Sequence, residues 1–476
     1  MAEVGRVSLA RARAERTKAV TAERFLTRGR VIGLLGFCLF ALTFDLVKVQ
    51  DDGTIYFDYL RRVFGVNTGG VAYQVGSAFW TAPFWLLSQA VAVVGGYSHF
   101  QSGQVAVTVA ANASILLTLY FGWRILRELD LPRGPAVLLL ALFGTPLWFY
   151  AVLQPSYKHA ADTLYATAAF WYLLRSTRED AKRREYLAVG LCLALMLATR
   201  YANGGLVFGL LASLWLLRLR RAAAWIAVAT AGFALVVFSI PLIRHIPYGS
   251  PPMPRYGAGV HDAPDLLAQT GQKLALGAVG LLHVYVPTTR FDPTVPINML
   301  FTLHRGLFLW TPLTAFATIG YVLLLRRDRA NRAFLTTLGV SALALLAVHS
   351  LWRSAWDGYG SFSQRFLTAL FVLFLVGTAE FVRRTRHLGV AVLTLCCCFS
   401  VWVGLALFNG FFDLGHHSYA SRHTSLNQIV GAFPHLTGPR VSPYHEPPPY
   451  NSLENLARQW GVRIRNRWQL YWRLVT

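Results

Sequence analysis

The chain has 476 residues, 55% of them hydrophobic and only 14% charged, with a mean hydropathy of +0.42. A soluble globular protein carries about 25% charged residues, so composition excludes an ordinary soluble enzyme and predicts an all-α polytopic membrane protein. The formal net charge of +23 raises nucleic acid as a partner, but the cations fall in short runs between apolar segments, which suits cytoplasmic loops and argues for no nucleic-acid partner.

In chain order, residues 1–30 form a basic N-terminus holding Arg6, Arg11, Arg13, Arg16, Lys18, Arg24, Arg28 and Arg30. It runs into Val31 to Val49 without a small-residue cleavage site, so 31–49 reads as a retained first span and not as a cleaved signal peptide. Further spans are expected at 103–123, 135–152, 160–175, 186–199, 203–217, 223–242, 306–325, 333–350, 365–381 and 388–409, about eleven in all. The basic runs within 124–133, 175–184, 218–221, 326–332 and 383–386 then share one side with the N-terminus, and that side is cytoplasmic.

This parity bears on "YQVGSAFWTAPFWLLSQAVAVV" (73–94), which is apolar enough to be a span. A crossing there would move every later basic run outside, so the segment is expected in the outer interface, where Trp80, Pro83 and Trp85 fit. Residues 31–410 thus read as one transmembrane domain with outer loops 50–102, 243–305 and 351–364. The tail 411–476 ends in "RQWGVRIRNRWQLYWRLVT", a basic aromatic stretch suited to an interfacial helix. The five cysteines, Cys38, Cys192, Cys396, Cys397 and Cys398, lie inside apolar segments and show neither metal-ligand spacing nor a disulfide framework.

Midplane charges mark ion-coupled transporters, and here the span centres are almost empty of them. Acids, histidines and arginines gather instead at the outer ends. "KVQDDGTIYFDYLRR" carries Asp51, Asp52 and Asp58 just after the first span. "QPSYKHAADTLY" places Lys158, His159 and Asp162 at spacings that allow one helical face. Arg200 closes a span in "ATRYANGG", Arg305 opens one in "HRGLFLWTP", and "WRSAWDGYGSFSQRF" holds Trp352, Trp356, Asp357, Tyr359 and Arg365. Taken singly, each has a plainer explanation: an arginine at a span end anchors in the interface, aspartates solvate a turn, tryptophans form the aromatic belt, and His159 packs. The joint pattern on one face suits a lipid-linked phosphate held by guanidinium forks, a sugar on aromatic rings and a carboxylate as general base.

"DDGTIYFDYLRR", "YQVGSAFWTAPFWLL", "TPLWFYAVLQPSYKHAADTL", "HRGLFLWTPL" and "WDGYGSFSQRFL" also resemble, in order and spacing, bacterial membrane glycosyltransferases of the GT-C superfamily, over about residues 31 to 410. The resemblance implies a GT-C-type bundle of about 11 transmembrane helices, with outer-face loops and interfacial helices. It implies an inverting transferase of the plasma membrane that moves a hexose or pentose from a polyprenyl-phosphate donor to a glycan, lipid or protein acceptor on the periplasmic or extracellular face. Asp51 and Asp52 match the acid pair of the first outer loop, and Asp162 matches a further loop acid. The commoner pair is Asp-Glu, so Asp at 52 leaves open which of the two is the base. Some relatives use a divalent metal there, Mg or Mn, and the three acids do not decide it. On this reading Asp162 and His159 orient the acceptor or a metal. Arg365, Arg305 and Arg200 hold the donor phosphate, and Trp352, Trp356 and Tyr359 shape the sugar site. The rivals are a ligase or polymerase of whole lipid-linked glycans and a non-enzymatic lipid or glycan flippase.

Overall fold

A computed structural model describes residues 52–65, 76–132, 134–178, 181–243, 293–350 and 362–411. The first apolar segment, Asp51, the loop residues Trp352, Trp356 and Tyr359, most of 243–305 and the tail beyond Phe411 lie outside the described residues. The described residues form helices and turns, with no strand among them. In order they are α1 Asp52–Val63, α2 Gly76–Gly95, α3 His99–Glu128, α4 Pro135–Phe143, α5 Leu147–Val152, α6 His159–Ser176, α7 Arg183–Thr199, α8 Gly204–Leu216, α9 Arg220–Ile243, α10 Thr294–Phe301, α11 Leu307–Trp310, α12 Leu313–Arg327, α13 Arg332–His349 and α14 Phe371–Phe411. Short 3-10 segments at Tyr201–Asn203 and Arg365–Leu370 lead into α8 and α14. A break at Arg386 (φ 52°, ψ −127°) divides α14 into two legs.

Helices or 3-10 turns cover the predicted apolar segments from 103 onward. Their boundaries follow local chemistry. Pro135 sits in the first turn of α4, where its missing N–H costs nothing. Asp130 (φ 50°) and Arg218 (φ 64°) take the left-handed conformation just past the C-caps of α3 and α8 and turn the chain back. Among the described residues, five helices are long and apolar enough to cross a membrane: Gly76–Gly95, His99–Glu128, Arg220–Ser239, Arg332–His349 and Arg365–Gly404. Large apolar side chains also face outward, with Val94, Leu388 and Leu395 on two of these helices and Phe208 on the shorter α8 all at least 70% exposed. Water would not tolerate that much unpartnered apolar surface, whereas hydrocarbon does. The chain is an all-α protein of membrane type.

Helices in lipid gain little from burying apolar groups against each other, so close backbone approach matters more. Small residues supply it. Gly190 of α7 lies against Ala229 of α9, Gly205 and Gly209 of α8 against Ala344 of α13, and Gly320 of α12 against Gly377 of α14. These contacts set the pairings of α7 with α9, α8 with α13 and α12 with α14. The basic runs meet at one end. Arg178 pairs with Glu128 at 2.6 Å, Arg175 with Glu185 at 2.8 Å, and Arg327 with Glu380 at 3.2 Å. Asp162 lies at the other end of α6.

The segment expected in the outer interface is, from Gly76 on, a 20-residue helix whose length and hydropathy suffice for a crossing. Its packing is one-ended. Trp80 donates from Nε1 to the Ala110 carbonyl at 2.7 Å, and Gln89 reaches His99, so α2 pairs with the first half of α3. Its first residue, Gly76, abuts Thr199 at the end of α7 and accepts from the Tyr165 hydroxyl. Farther along α3, Phe121 stacks near Trp171 of α6, and Glu128 meets Arg178. The tip of the α2–α3 hairpin therefore stands beyond the start of α6.

A Cβ at Gly377 would collide with the Ala317 carbonyl, whereas one at Gly232 meets nothing. Gly377→Val is expected to destabilise by about 1–3 kcal/mol, seen as a lowered unfolding midpoint in micelles, while Gly232→Ala leaves the midpoint unchanged or raised.

Candidate functional site

Asp162 sits in the first turn of α6 with its side chain fully enclosed. Its Oδ1 accepts from Asn203 Nδ2 at 2.6 Å, and its Oδ2 stands 3.5 Å from Arg200 Nη1. Arg200 is the residue at which α7 stops: the backbone turns extended (φ −153°), and the Tyr201–Asn203 turn follows. Only 3% of Arg200 is exposed. Its Nη1 also points at the carbonyls of Arg365 and Phe366, at 3.4 and 3.2 Å, and its guanidinium lies 4.8 Å from the centre of the Phe366 ring. One acid, one guanidinium and one amide thus join the start of α6, the end of α7 and the 3-10 segment that opens at Arg365.

His159, the first residue of α6, is buried with Nδ1 3.5 Å from Thr368 Oγ1. Its ring packs on Tyr150 at 4.4 Å and stacks on Tyr157 at 6.1 Å. Arg365 is half-buried, with its guanidinium between the Tyr157 and Phe366 rings at 5.9 and 5.4 Å. The Tyr150 hydroxyl donates to the Phe362 carbonyl and accepts from its N–H, which clamps the chain just before Arg365. Arg305 is fully buried, donates to the His304 carbonyl at 2.7 Å and covers the Trp310 ring at 4.6 Å, and that ring lies 5.8 Å from Phe362.

The acid-rich stretch reaches the same end by a close approach. Asp52 opens α1, and Gly53 presses on Ser156 so tightly that a Cβ would collide with its hydroxyl. This docks the start of α1 on the turn that precedes α6. Between them, α1, α2, α3 and the start of α6 border a small cleft walled by Tyr56, Ser77, Trp80, Ser114, Tyr157 and Lys158 among others. Lys158 is the single charged side chain among the described residues that line it, and its ammonium stands 5.0 Å from the Tyr56 ring. Burial pushes the Tyr201 hydroxyl up to about 12.

The structure therefore sorts the sequence candidates. Asp162, Arg200, His159 and Arg365 converge; Arg305 covers Trp310, whose ring packs on Phe362; Asp51, Trp352, Trp356 and Tyr359 lie outside the described residues. Lys158, His159 and Asp162 do not present one common face to a ligand. Lys158 turns to Tyr56, His159 to Thr368 and Asp162 to Asn203. An enclosed carboxylate 3.5 Å from a guanidinium fits an ion pair and does not fit a ligand of a divalent metal. Asp162 is paired with Arg200, and Arg200 also faces the carbonyls of Arg365 and Phe366. Asn203, Tyr56, Ser77, Trp80 and Ser114 escaped sequence reasoning. The one available signal was the small residue in each of "DDG" and "VGSAFW", which marks a close approach.

The chain matches no family model and no curated protein sequence.

Removing one partner of a buried ion pair strands the other charge, at a cost of roughly 3–5 kcal/mol. Arg200→Leu is expected to lower stability by that amount. Adding Asp162→Leu should restore part of it, since the double variant has no orphaned charge. Unfolding midpoints of the two single variants and the double variant in one detergent measure the coupling.

Proposed function

We propose that the chain is an inverting glycosyltransferase of GT-C type that uses a polyprenyl-phosphate sugar donor. The observation that carries this reading is the docking of the "DDG" end of α1 on the Ser156 turn, beside a cleft with aromatic walls and one cation. The sequence resemblance places a base in that same stretch. In this proposal the bundle has eleven spans, the N-terminus and basic runs face the cytoplasm, and the cleft opens on the outer face of the plasma membrane.

The chemistry would run as follows. Tyr56, Trp80 and Tyr157 stack against the sugar, and Trp352, Trp356 and Tyr359 keep the sugar-binding role that the resemblance implies. Lys158 and Arg365 neutralise the donor phosphate. Asp51, or Asp52 in its place, takes the proton of an acceptor hydroxyl. The acceptor oxygen forms its bond to the anomeric carbon from the face opposite the phosphate. The bond from that carbon to the phosphate oxygen breaks, and the electron pair leaves on polyprenyl phosphate. Each turnover inverts the anomeric centre.

The deciding measurement is product formation by the purified protein with a panel of labelled polyprenyl-phosphate sugars. Asp51→Asn is expected to lower turnover by about 100- to 10,000-fold while donor binding persists. Loss in Asp52→Asn alone would move the base to Asp52, and activity retained in the double variant would remove the catalytic reading. Asp58→Asn should stay near parental, because Asp58 is taken up by Arg61 at 3.3 Å, whose guanidinium covers Phe57 and Phe100. Arg365→Lys and Lys158→Gln should weaken donor binding without unfolding the protein. Lipid scrambling in vesicles without product would favour the flippase.

Orientation has its own test. A cysteine at Ser98, on the hairpin tip, should react with an impermeant maleimide on intact cells, and one at Arg329 only after permeabilisation. The reverse pattern would invert the topology.

A further inference from the structure

At the basic end of the bundle, three arginines converge on one carboxylate. Glu380 of α14 is fully enclosed. Arg383 reaches it with two nitrogens, Nε at 2.7 Å and Nη2 at 2.8 Å. Arg384 adds Nε at 2.9 Å, and Arg327 of α12 adds Nη2 at 3.2 Å. A carboxylate offers about four lone-pair positions, and a guanidinium carries five N–H donors. Four contacts thus saturate Glu380 and leave most of the arginine donors for other acceptors. Three positive charges also meet one negative charge, so the cluster keeps a surplus that a single neutral or zwitterionic group does not balance.

The surroundings say what kind of anion fits. The three arginine side chains are 36–44% exposed while the carboxylate between them is not, so the surplus charge faces outward. On α12, Ile319 and Val322 lie one to two turns toward the middle of the bundle from Arg326 and Arg327, and both are exposed. On α14, Leu388 is 72% exposed beside the break at Arg386. An apolar strip bordering a cationic cluster at the end of a membrane helix suits a molecule with an anionic head and a hydrocarbon tail, and basic sites between helix ends take such heads.

We propose that Arg327, Arg383 and Arg384 form a binding site for the phosphate of an anionic glycerophospholipid in the leaflet at the basic end of the bundle. Glu380 spaces the guanidinium groups, and the exposed strip of α12 carries the acyl chains. The site is at the opposite end of the bundle from the cleft, and it stands whatever reaction the cleft performs.

The test is native mass spectrometry of the delipidated full-length protein with phosphatidylglycerol or phosphatidylcholine. Phosphatidylglycerol is expected to bind, with phosphatidylcholine at least about fivefold weaker. Arg384→Gln, the variant at the most exposed arginine, should weaken phosphatidylglycerol binding by about fivefold, the worth of one cation at a membrane surface. Arg220→Gln, in another basic run at the same end, should change it by less than about twofold, since screening confines the effect to neighbours. Should Arg384→Gln fail to fold, as judged by its unfolding midpoint, Arg327→Gln carries the same expectation. Equal binding of the two lipids, or equal losses in the Arg384 and Arg220 variants, would overturn the proposal. So would displacement of the lipid by millimolar inorganic phosphate, which would mark an ordinary anion site.

Discussion

The end of the bundle opposite the basic runs depends on one buried ion pair. Asp162 and Arg200 are removed from water together, and neither could be enclosed alone without a cost of several kcal/mol. Asn203 supplies the acid with a neutral donor, and the carbonyls of Arg365 and Phe366 supply the guanidinium with further acceptors. The pair is therefore less a source of net stability than a device for specificity. It fixes where α7 must stop, how the chain turns into α8, and where the strand of backbone leading into α14 must lie. A slip of one residue in any of these would leave a charge unpaired inside the bundle.

Everything proposed for the cleft rests on that geometry. His159 follows the same first turn of α6 and packs between Tyr150 and Tyr157. Tyr150 clamps Phe362, so Arg365 emerges in a set direction over Tyr157. Gly53 on Ser156 then brings the acid-bearing end of α1 to the same turn. A stretch from the N-terminal third and one from beyond residue 360 are thus referred to a single frame, which is what a reaction between two bound substrates requires.

The two ends of the bundle handle charge differently. At the end that holds the first turn of α6, the Arg200 guanidinium is sealed against the Asp162 carboxylate. At the basic end Glu380 is outnumbered by arginines that remain part-exposed. Between them the helices are joined by glycine and alanine contacts, so few charges need to enter the apolar layer.

Composition and the spacing of apolar runs determined the class of this protein and the positions of its helices, because continuous hydrophobic segments must satisfy their backbone internally and do so as helices. The basic runs likewise foretold which helix ends meet, as Arg178 with Glu128 and Arg327 with Glu380 show. The sequence also singled out Asp162, Arg200, His159 and Arg365, together with Arg305, the acids of the first loop and the loop aromatics, as lying on one face. It did not reveal that Asp162 and Arg200 face each other, that Asn203 completes the pair, or that Arg305 folds back on Trp310. Nor did it reveal that Lys158 and not Asp162 faces the cleft, or that residues as distant as Tyr56, Ser77 and Ser114 share its wall. Those facts turn on helix rotation and on close approaches such as Gly53 on Ser156. Helix rotation is set by packing between elements far apart in the chain, and hydrophobic periodicity is silent about it when a helix is apolar all round.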